Sequence, residues 1–166
     1  MEGKRIRESA VVMAQIMNPR DSNPAGNIHG GVIMYMIDNA AGAAASRHAR
    51  SQVVTASIDR LDFHHPVYIG DFVTLRASVN FVGRTSMEVG VRVEAENRLG
   101  IRHHTASAYM TMVALDENGR PKPIPSLILE TDEERRRNVE AKDRSETRRA
   151  EKTKEKQCQA DMNCLV

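Results

Sequence analysis

Apolar and polar positions alternate with a period of two through most of the chain after Arg50, which is the spacing of side chains along a β-strand. The alternation predicts four strands, at residues 53–63, 73–81, 87–95 and 101–115. Gly83 and the run 97–100 (Asn-Arg-Leu-Gly) separate neighbouring strands as turns. Successive alternating strands joined by short turns are typical of an antiparallel meander with one face in water.

The N-terminal third is organised differently. Residues 9–17 are predicted to form a first strand, and residues 18–31 are dense in Asn, Pro and Gly, which is typical of a loop. Residues 32–48 are rich in Ala and Met, with few β-branched residues after Ile37, and are predicted to form a buried helix. One helix followed by long antiparallel strands indicates an α+β fold in which the sheet wraps around the helix. The small residues at 40–45 leave room for that close approach.

Charge dominates the end of the chain. Residues 121–125 (Pro-Lys-Pro-Ile-Pro) end the globular part, and residues 131–134 (Thr-Asp-Glu-Glu) resemble a capping box. A helix rich in Glu, Arg and Lys, with little apolar face, is predicted from about residue 131 into the 150s. We divide the chain into a domain at 1–125 and a charged C-terminal helix and tail at 126–166. The helix is interpreted as solvated or frayed, with an interaction tail as the alternative.

Composition narrows the classes of function. The net charge is +2 and basic residues are interspersed with acidic ones, which does not favour nucleic acid as a partner. No apolar run approaches the ~20 residues of a membrane helix, and no signal sequence is recognisable, so we expect a cytoplasmic protein without membrane insertion. The globular part contains no cysteine, since Cys158 and Cys164 lie in the tail, so neither a disulfide framework nor a zinc site is expected.

The loop at 18–31 holds most of the candidate chemistry. Gly30 and Gly31 stand where the helix is predicted to begin, and amides at a helix N-terminus attract negative charge. Because glycine has no Cβ, a substrate could approach these amides closely enough for them to stabilise an oxyanion. Tight packing of the helix against the sheet explains two glycines equally well.

Three acidic or amide side chains are further candidates. Asp38 lies seven residues after Gly31, on nearly the same helix face, and a buried carboxylate there must be hydrogen-bonded or functional. Asp21 and Asn23, beside Pro and Gly in the loop, are usually turn formers at such positions. His29 could be an acid or base, or a structural histidine.

Other chemistries lack their motifs. The pairs His64-His65 and His103-His104 have no third ligand at a sensible spacing, so no metal site is expected. A G-x-S-x-G elbow, a G-x-G-x-x-G turn and a Walker A loop are all absent from the sequence. The domain also lacks a cysteine nucleophile.

The run 21–31 (Asp-Ser-Asn-Pro-Ala-Gly-Asn-Ile-His-Gly-Gly), followed by Met34 and Asp38, resembles the motif of the hotdog acyl-CoA hydrolases. Within that family, this sequence resembles the bacterial short single-domain enzymes and the repeats of the mammalian cytosolic hydrolase. Residues 62–71 and 82–89 match the family's next strands and turns, so the resemblance covers roughly residues 8–125.

The resemblance implies a hotdog fold and hydrolysis of acyl-CoA to free acid and CoA. It implies no metal and no cofactor, since coenzyme A belongs to the substrate and the product. Active sites are expected at a homodimer interface, within a trimer of dimers. Catalytic roles carry over to Asp21, Asn23 and Asp38, with the choice of base between Asp38 and Asp21 left open. The turn formed by Arg84, Thr85 and Ser86 resembles the CoA-contacting segment of the family.

Two alternatives stay open at this point. A hydratase or dehydratase on the same fold would pair His29 with Asp38, although the Asn-rich loop argues against it. A non-catalytic acyl-CoA-binding module is the second, but the roughly eight residues before the first strand are too few for a DNA-binding helix-turn-helix. The acyl chain length is not determined by these patterns.

Overall fold

A computed structural model describes residues 2–160. In chain order its elements are β1 (Lys4–Arg5), β2 (Val11–Ile16), α1 (Gly30–Ala49), β3 (Gln52–Phe63), β4 (Phe72–Val82), β5 (Ser86–Glu96), β6 (Arg102–Leu115), β7 (Leu127–Ile128) and α2 (Asp132–Ala160). Short 3₁₀ turns lie at Ile6–Glu8 and Pro19–Asp21. The helix α1 and the strands β2 to β6 confirm the predicted elements.

Five strands form one antiparallel sheet in the order β2-β4-β5-β6-β3. All five contact α1, so the sheet wraps around this helix as predicted. The inner face of the sheet carries the alternating apolar residues of the core, among them Val73, Leu75, Val79, Val89 and Val93, each fully buried. A separate parallel pairing of β1 with β7, which the sequence patterns did not predict, joins the N-terminal segment to the segment just before α2.

Helix α1 is enclosed because its side chains are small. Ala40, Ala41, Ala44 and Ala45 are all 0% exposed, which lets the sheet approach the helix closely. The helix begins after His29, whose Nδ1 accepts a hydrogen bond from the Gly31 N–H. It ends at Arg50 in the left-handed conformation (φ 50°), whose N–H donates to the Ser46 carbonyl.

Strand β3 is an edge of the sheet and, among residues 2–160, pairs with β6 alone. It exposes Val54 (46%), Ile58 (45%) and Phe63 (50%), an unusually apolar set for an edge strand. The pairing with β6 is irregular in two places, where Ala56 and Asp59 are extra residues on β3. The edge strand, with its exposed apolar residues and its two irregular positions, therefore lies beside α1.

Helix α2 packs against the outer face of the sheet, so the interpretation of a solvated helix is wrong for its middle part. Ala141 and Ser145 are buried. Arg144 donates to both carboxylate oxygens of Glu88 on β5, at 3.0 and 2.8 Å, and Glu88 is 1% exposed. The helix is held by these directed contacts rather than by an apolar stripe. The division of the chain at residue 125 stays a prediction.

Two features of the described residues bear on earlier expectations. No helix within residues 2–160 is long and apolar enough to span a membrane. Cys158 is disulfide-bonded, which the cysteine pattern did not lead us to expect. Cys164 lies outside the described residues.

Candidate active site

A cavity of about 320 Å³ opens at the start of α1. It is formed where the loop 18–29 meets the end of β3, because the Ile28 N–H donates to the Val67 carbonyl at 2.7 Å and holds the loop there. The cavity is lined, among others, by Asn23, Asn27, Gly30, Phe63, His64 and His65. Two of the residues predicted for the site, Asn23 and Gly30, are therefore brought together.

The two glycine amides differ. The Gly31 N–H donates to His29 Nδ1 at 3.0 Å, so the helix cap already uses it. The Gly30 N–H has no hydrogen-bond partner among residues 2–160, and Gly30 lines the cavity. A free amide at a helix N-terminus is a suitable donor to a developing oxyanion. Of the two predicted donors, Gly30 has the geometry for that role.

Asn23 has a structural role in its loop as well as a position at the cavity. Its Nδ2 donates to Asn27 Oδ1 at 2.6 Å, and its Oδ1 accepts from the Ala25 N–H at 2.9 Å. The second bond is that of an Asx turn, as expected for an Asn beside Pro and Gly. Because an amide group has two donors and two acceptor positions, one of each is left for a ligand.

Asp21 stands apart from the cavity lining. Its carboxylate accepts a hydrogen bond of 3.3 Å from the Asn18 N–H and caps the 3₁₀ turn before the loop. Its carbonyl accepts from the His29 N–H at 2.8 Å, which ties the beginning of the loop to the start of α1. These contacts give Asp21 a part in shaping the loop.

Asp38 is exposed in the single chain, so the expectation of a buried carboxylate is wrong. It lies on the face of α1 beside the edge strand, and Thr55 Oγ1 on β3 donates to its Oδ1 at 2.6 Å. Thr55 was missed in the sequence because a Thr is unremarkable in a strand. No local pattern signals Thr55, because the inner-face row of Ile58, Leu61 and Phe63 to which it belongs depends on two irregular positions in β3.

Within one chain the candidate residues lie in two separate groups. Gly30 and Asp38 are eight residues apart on α1, which is about 12 Å along the helix axis at ~1.5 Å per residue. Asp38 does not line the cavity that contains Asn23 and Gly30. His29 and Asp38 are nine residues apart, about 180° around the helix, so one chain does not pair them as the hydratase alternative requires.

The turn formed by Arg84, Thr85 and Ser86 lies at the other end of the sheet. Strand β4 leads from the neighbourhood of the cavity to this turn, a distance of roughly 30 Å for 11 residues at ~3.3 Å each. The Arg84 carbonyl accepts from the Ile124 N–H, and the Thr85 carbonyl from the Ala114 N–H, each at 3.1 Å. The structure of one chain does not bring this turn to the cavity.

The histidines near the cavity stack in two pairs. His64 packs against His104 with ring centroids 4.8 Å apart, and His65 packs against His103 at 5.2 Å. Burial lowers the pKa of His104 below its usual value, and the charges of Arg92 and His64 lower it further. Among the described residues, no group of three or more His, Cys, Asp or Glu side chains is arranged to hold a metal ion.

Comparison with known proteins places this chain in a family. Residues 25–101 match the family model of the thioesterase superfamily. The chain is 42% identical over 134 residues to a Bacillus subtilis (strain 168) protein named as an uncharacterized acyl-CoA thioester hydrolase, YkhA, which covers 80% of this chain and 78% of that protein. It is 35% identical over 146 residues to the cytosolic acyl coenzyme A thioester hydrolase of Mus musculus, covering 86% of this chain. The chain spans only 38% of the length of the mouse protein.

Solved structures are similar over nearly the whole chain. A hexameric acyl-CoA thioesterase in its apo form has a TM-score of 0.88 at 41% identity, covering 91% of this chain and 97% of that one. The acyl-CoA hydrolase of Staphylococcus aureus, solved with butyryl-CoA, CoA and CoA disulfide, has a TM-score of 0.89 at 34% identity, covering 97% and 99%. Further structures of that enzyme carry alanine in place of an asparagine, an aspartate or a threonine. The chain belongs to the thioesterase superfamily of hotdog-fold proteins, in the group that contains the acyl-CoA thioester hydrolases.

Proposed function

We propose that this protein hydrolyses acyl-CoA thioesters at active sites formed between two copies of the chain. One observation carries the proposal: the cavity with Asn23 and the free Gly30 amide is one half-site, and the Asp38–Thr55 pair is the other. The S. aureus variants support the same residues. The asparagine, aspartate and threonine replaced there are separated along the chain as Asn23, Asp38 and Thr55 are here.

The edge strand provides the means to join two half-sites. Its backbone is free to pair on one side, and its exposed apolar residues favour burial against a second copy. In an antiparallel pairing of two β3 strands centred near Asp59, Thr55 of one copy faces Phe63 of the other. Phe63 lies beside Gly30, since a Cβ placed on Gly30 would be 3.6 Å from the Phe63 ring. Asp38 of one copy would then face the cavity of its partner.

The chemistry follows from these positions. The thioester carbonyl oxygen accepts a hydrogen bond from the Gly30 N–H, which stabilises the negative charge that develops on it. Asp38, oriented by Thr55, takes a proton from a water molecule whose oxygen attacks the carbonyl carbon. The C–S bond then breaks, and the CoA thiolate leaves and is protonated, so the products are free acid and CoA. Asn23 orients the water or the carbonyl group.

Direct attack by the Asp38 carboxylate, with a mixed anhydride as intermediate, is the alternative step. A single turnover in H₂¹⁸O distinguishes the two routes. Water attack places ¹⁸O in the first molecule of acid released. Attack by Asp38, with water then opening the anhydride at the Asp38 carboxyl carbon, gives a first acid without ¹⁸O and leaves the label in the protein, so an unlabelled first acid identifies the covalent route.

Release of free thiol from a series of acyl-CoAs, from butyryl to palmitoyl, tests the activity. We expect turnover by the wild type and a loss of about 10²- to 10⁴-fold in kcat for Asp38→Ala. The matched control is Asp132→Ala, which removes a fully exposed carboxylate at the start of α2 and should leave kcat unchanged. No thiol release from any member of the series would refute the proposed activity.

Mixing two inactive variants tests whether the site is shared. Asn23→Ala and Asp38→Ala chains are dissociated together and reassembled. If each site takes Asn23 from one chain and Asp38 from the other, mixed dimers regain one intact site, and about a quarter of the wild-type activity returns at equal mixing. A site within one chain predicts no recovery.

A third variant tests the oxyanion donor. A methyl group fits at Gly30, since the Phe63 ring at 3.6 Å is its sole neighbour within 4 Å among the described residues, so Gly30→Ala should fold. We expect kcat to fall by about 10²-fold, because the methyl group stands at the approach to the amide. At Gly31 the corresponding Cβ would be 3.2 Å from His29 Nδ1, so that variant would disturb the helix cap instead.

Assembly, location and cofactor requirement are further parts of the proposal. The hexameric relative supports a trimer of dimers, which sedimentation velocity would measure. The name of the mouse relative supports a cytoplasmic location. Hydrolysis without a metal or cofactor stays a prediction, checked by activity after dialysis against a chelator. The turn at Arg84, Thr85 and Ser86 is proposed to contact CoA bound to another subunit, and Arg84→Ala should then raise KM.

A further inference from the structure

The two extra residues of β3 determine where Thr55 lies. In a regular strand, residues 55, 57, 59, 61 and 63 would share one face. Here Thr55 pairs with Met112 on the inner face, Ser57 pairs with Thr111 on the outer face, and Leu61 and Phe63 are inner again. The first extra residue reverses the alternation, and the second restores it.

Both irregularities are needed for the Asp38–Thr55 contact. If Asp59 entered the regular pairing while Ala56 stayed out, Thr55 would turn to the outer face, away from α1. If both entered, Thr55 would move from opposite Met112 to opposite Ala114, about 7 Å along the sheet at ~3.4 Å per residue. Either change would break the 2.6 Å bond from Thr55 to Asp38.

The side chain of Asp59 holds this irregular stretch from the outer face. Its Oδ1 accepts a hydrogen bond of 2.6 Å from Ser57 Oγ, the residue that follows the first extra residue, Ala56. Its Oδ2 accepts from Thr111 Oγ1 on β6 at 2.9 Å and from Arg148 Nη1 on α2. One carboxylate therefore ties β3 to itself, to its neighbour strand and to the C-terminal helix.

Arg148 is itself fixed by the packing of α2. One turn earlier, Arg144 donates two hydrogen bonds to the carboxylate of the buried Glu88, and its Cζ lies 3.8 Å from the centroid of the Tyr109 ring. Burial alone would lower the pKa of Arg144, but its hydrogen bonds to Glu88 raise it above the usual value. The side chain of Asp59 is 9% exposed, so its pairing with Arg148 is largely shielded from water, and losing the cation there costs more than at an open surface.

We propose that Arg148 and Asp59 are positioning residues for the Asp38–Thr55 half-site. Through this pair, the charged C-terminal helix holds the irregular register of β3 that places Thr55 against Asp38. The proposal rests on the function proposed above for Asp38. This pairing gives α2 an indirect part in catalysis, without contact with the substrate. It also gives a functional reason for the attachment of this charged helix to the sheet at Asp59.

Four single substitutions and one double variant test this pair, with kcat and KM measured on butyryl-CoA and normalised to folded protein. Arg148→Met removes the cation and keeps most of the stem, while Arg148→Lys keeps a cation. Arg136→Met is the matched control, because Arg136 pairs with Glu140 on the exposed side of α2. Thr55→Ala, alone and combined with Arg148→Met, reports whether Arg148 acts through Thr55.

We expect Arg148→Met to lower kcat about 10-fold with KM changed less than about 2-fold, since a small displacement of a catalytic group has effects of this size or larger. Arg148→Lys should regain most of the loss, and Arg136→Met should match the wild type. In the Thr55→Ala background, Arg148→Met should cause no further loss. Wild-type kcat in Arg148→Met, or an equal loss in both backgrounds, would overturn the proposal.

Hydrogen exchange of the protein alone keeps this test separate from the proposed function. Amides of residues 54–60 should exchange faster in Arg148→Met than in Arg136→Met. Equal exchange in the two variants would refute the positioning role even if the wild type hydrolysed no acyl-CoA. Absence of hydrolysis by the wild type, with faster exchange in Arg148→Met, would refute the proposed function and leave the register claim supported.

Discussion

Helices α1 and α2 cover opposite faces of the same sheet with opposite chemistry. The contact surface of α1 is mostly apolar and contains four alanines that are fully buried, and its position follows from the removal of apolar area from water. The contact surface of α2 contains charged side chains, Arg144 and Arg148, whose carboxylate partners lie 56 and 89 positions away in the chain. Burial is spread over many residues, whereas the ion pairs concentrate the attachment of α2 in a few. The two helices should therefore respond differently to single substitutions.

The largest effect on stability is expected at the attachment of α2. Glu88→Ala leaves Arg144 without its carboxylate, and we expect the free energy of unfolding to fall by about 3 kcal/mol, as measured by urea denaturation. Glu140→Ala, which breaks an exposed pair on the same helix, should cost less than about 0.5 kcal/mol. Similar losses in the two variants would show that the buried pair is not the anchor.

A double substitution sharpens this result. Replacing the pair by Glu88→Leu and Arg144→Met removes both charges and keeps the volume approximately. We expect most of the stability lost in Glu88→Ala to return, because an apolar pair avoids the desolvation of two ions. If the double variant were as unstable as the single one, the geometry of the pair would be essential to the packing of α2.

At α1, the sign of the effect should depend on the space around each position. Ala44→Leu forces three heavy atoms into a site that is 0% exposed, and we expect a loss of about 2 kcal/mol. Gly42→Ala, two residues earlier, adds a methyl group that meets only Met112 Cε at 4.0 Å within the described residues. It should raise the free energy of unfolding by ~0.5–1 kcal/mol, because alanine restricts the unfolded chain. Thermal unfolding of both variants measures whether the two changes in stability have opposite signs.

The smallest effect is a pH dependence at the end of α1. His48 is fully buried, and its Nε2 donates to the Pro125 carbonyl at 2.9 Å. Burial lowers its pKa below the usual 6.5, and the Lys4 charge adds to this, while the bond to Pro125 and the Glu8 charge oppose it.

The sign follows from the protons bound by each state. Well above pH 6.5 His48 is neutral in both states and contributes no pH dependence. As the pH is lowered through 6.5, the unfolded chain takes up a proton that the folded protein does not. The free energy of unfolding therefore decreases as the pH is lowered. We expect Tm to decrease by a few degrees between pH 7.5 and 5.5, and His48→Gln to flatten the slope. His104 adds a dependence of the same sign, so part of the slope should persist.

Local patterns were sufficient for most of the fold. The four alternating runs became β3 to β6 with bounds shifted by one residue, and the Ala-rich segment became α1. Alternation and small side chains are properties of neighbouring positions, so they can be read along the chain. The pairing of β1 with β7 was not predictable in this way, because each strand has two residues and no period.

The candidate site was predictable in its loop but not in its helix. Asn23 and Gly30 meet at one cavity because they are close in sequence and the loop between them is short. Asp38 was expected to be buried since the helix around it is apolar, yet it faces the edge of the sheet. Thr55 carries no local signal, and its contact with Asp38 depends on a register set by two irregular positions in β3.

The amino-acid order alone therefore determines the main helix and strands, the core face of most of them and the family, because these depend on periodicity and on motifs of adjacent residues. Three features were decided only in three dimensions: the separation of the half-sites, the exposure of Asp38, and the attachment of α2 through Glu88 and Asp59. Each depends on which distant side chains the strand register brings within hydrogen-bond distance. A single extra residue in an edge strand changes that register, and the alternation of apolar and polar positions does not show where such a residue will be left unpaired.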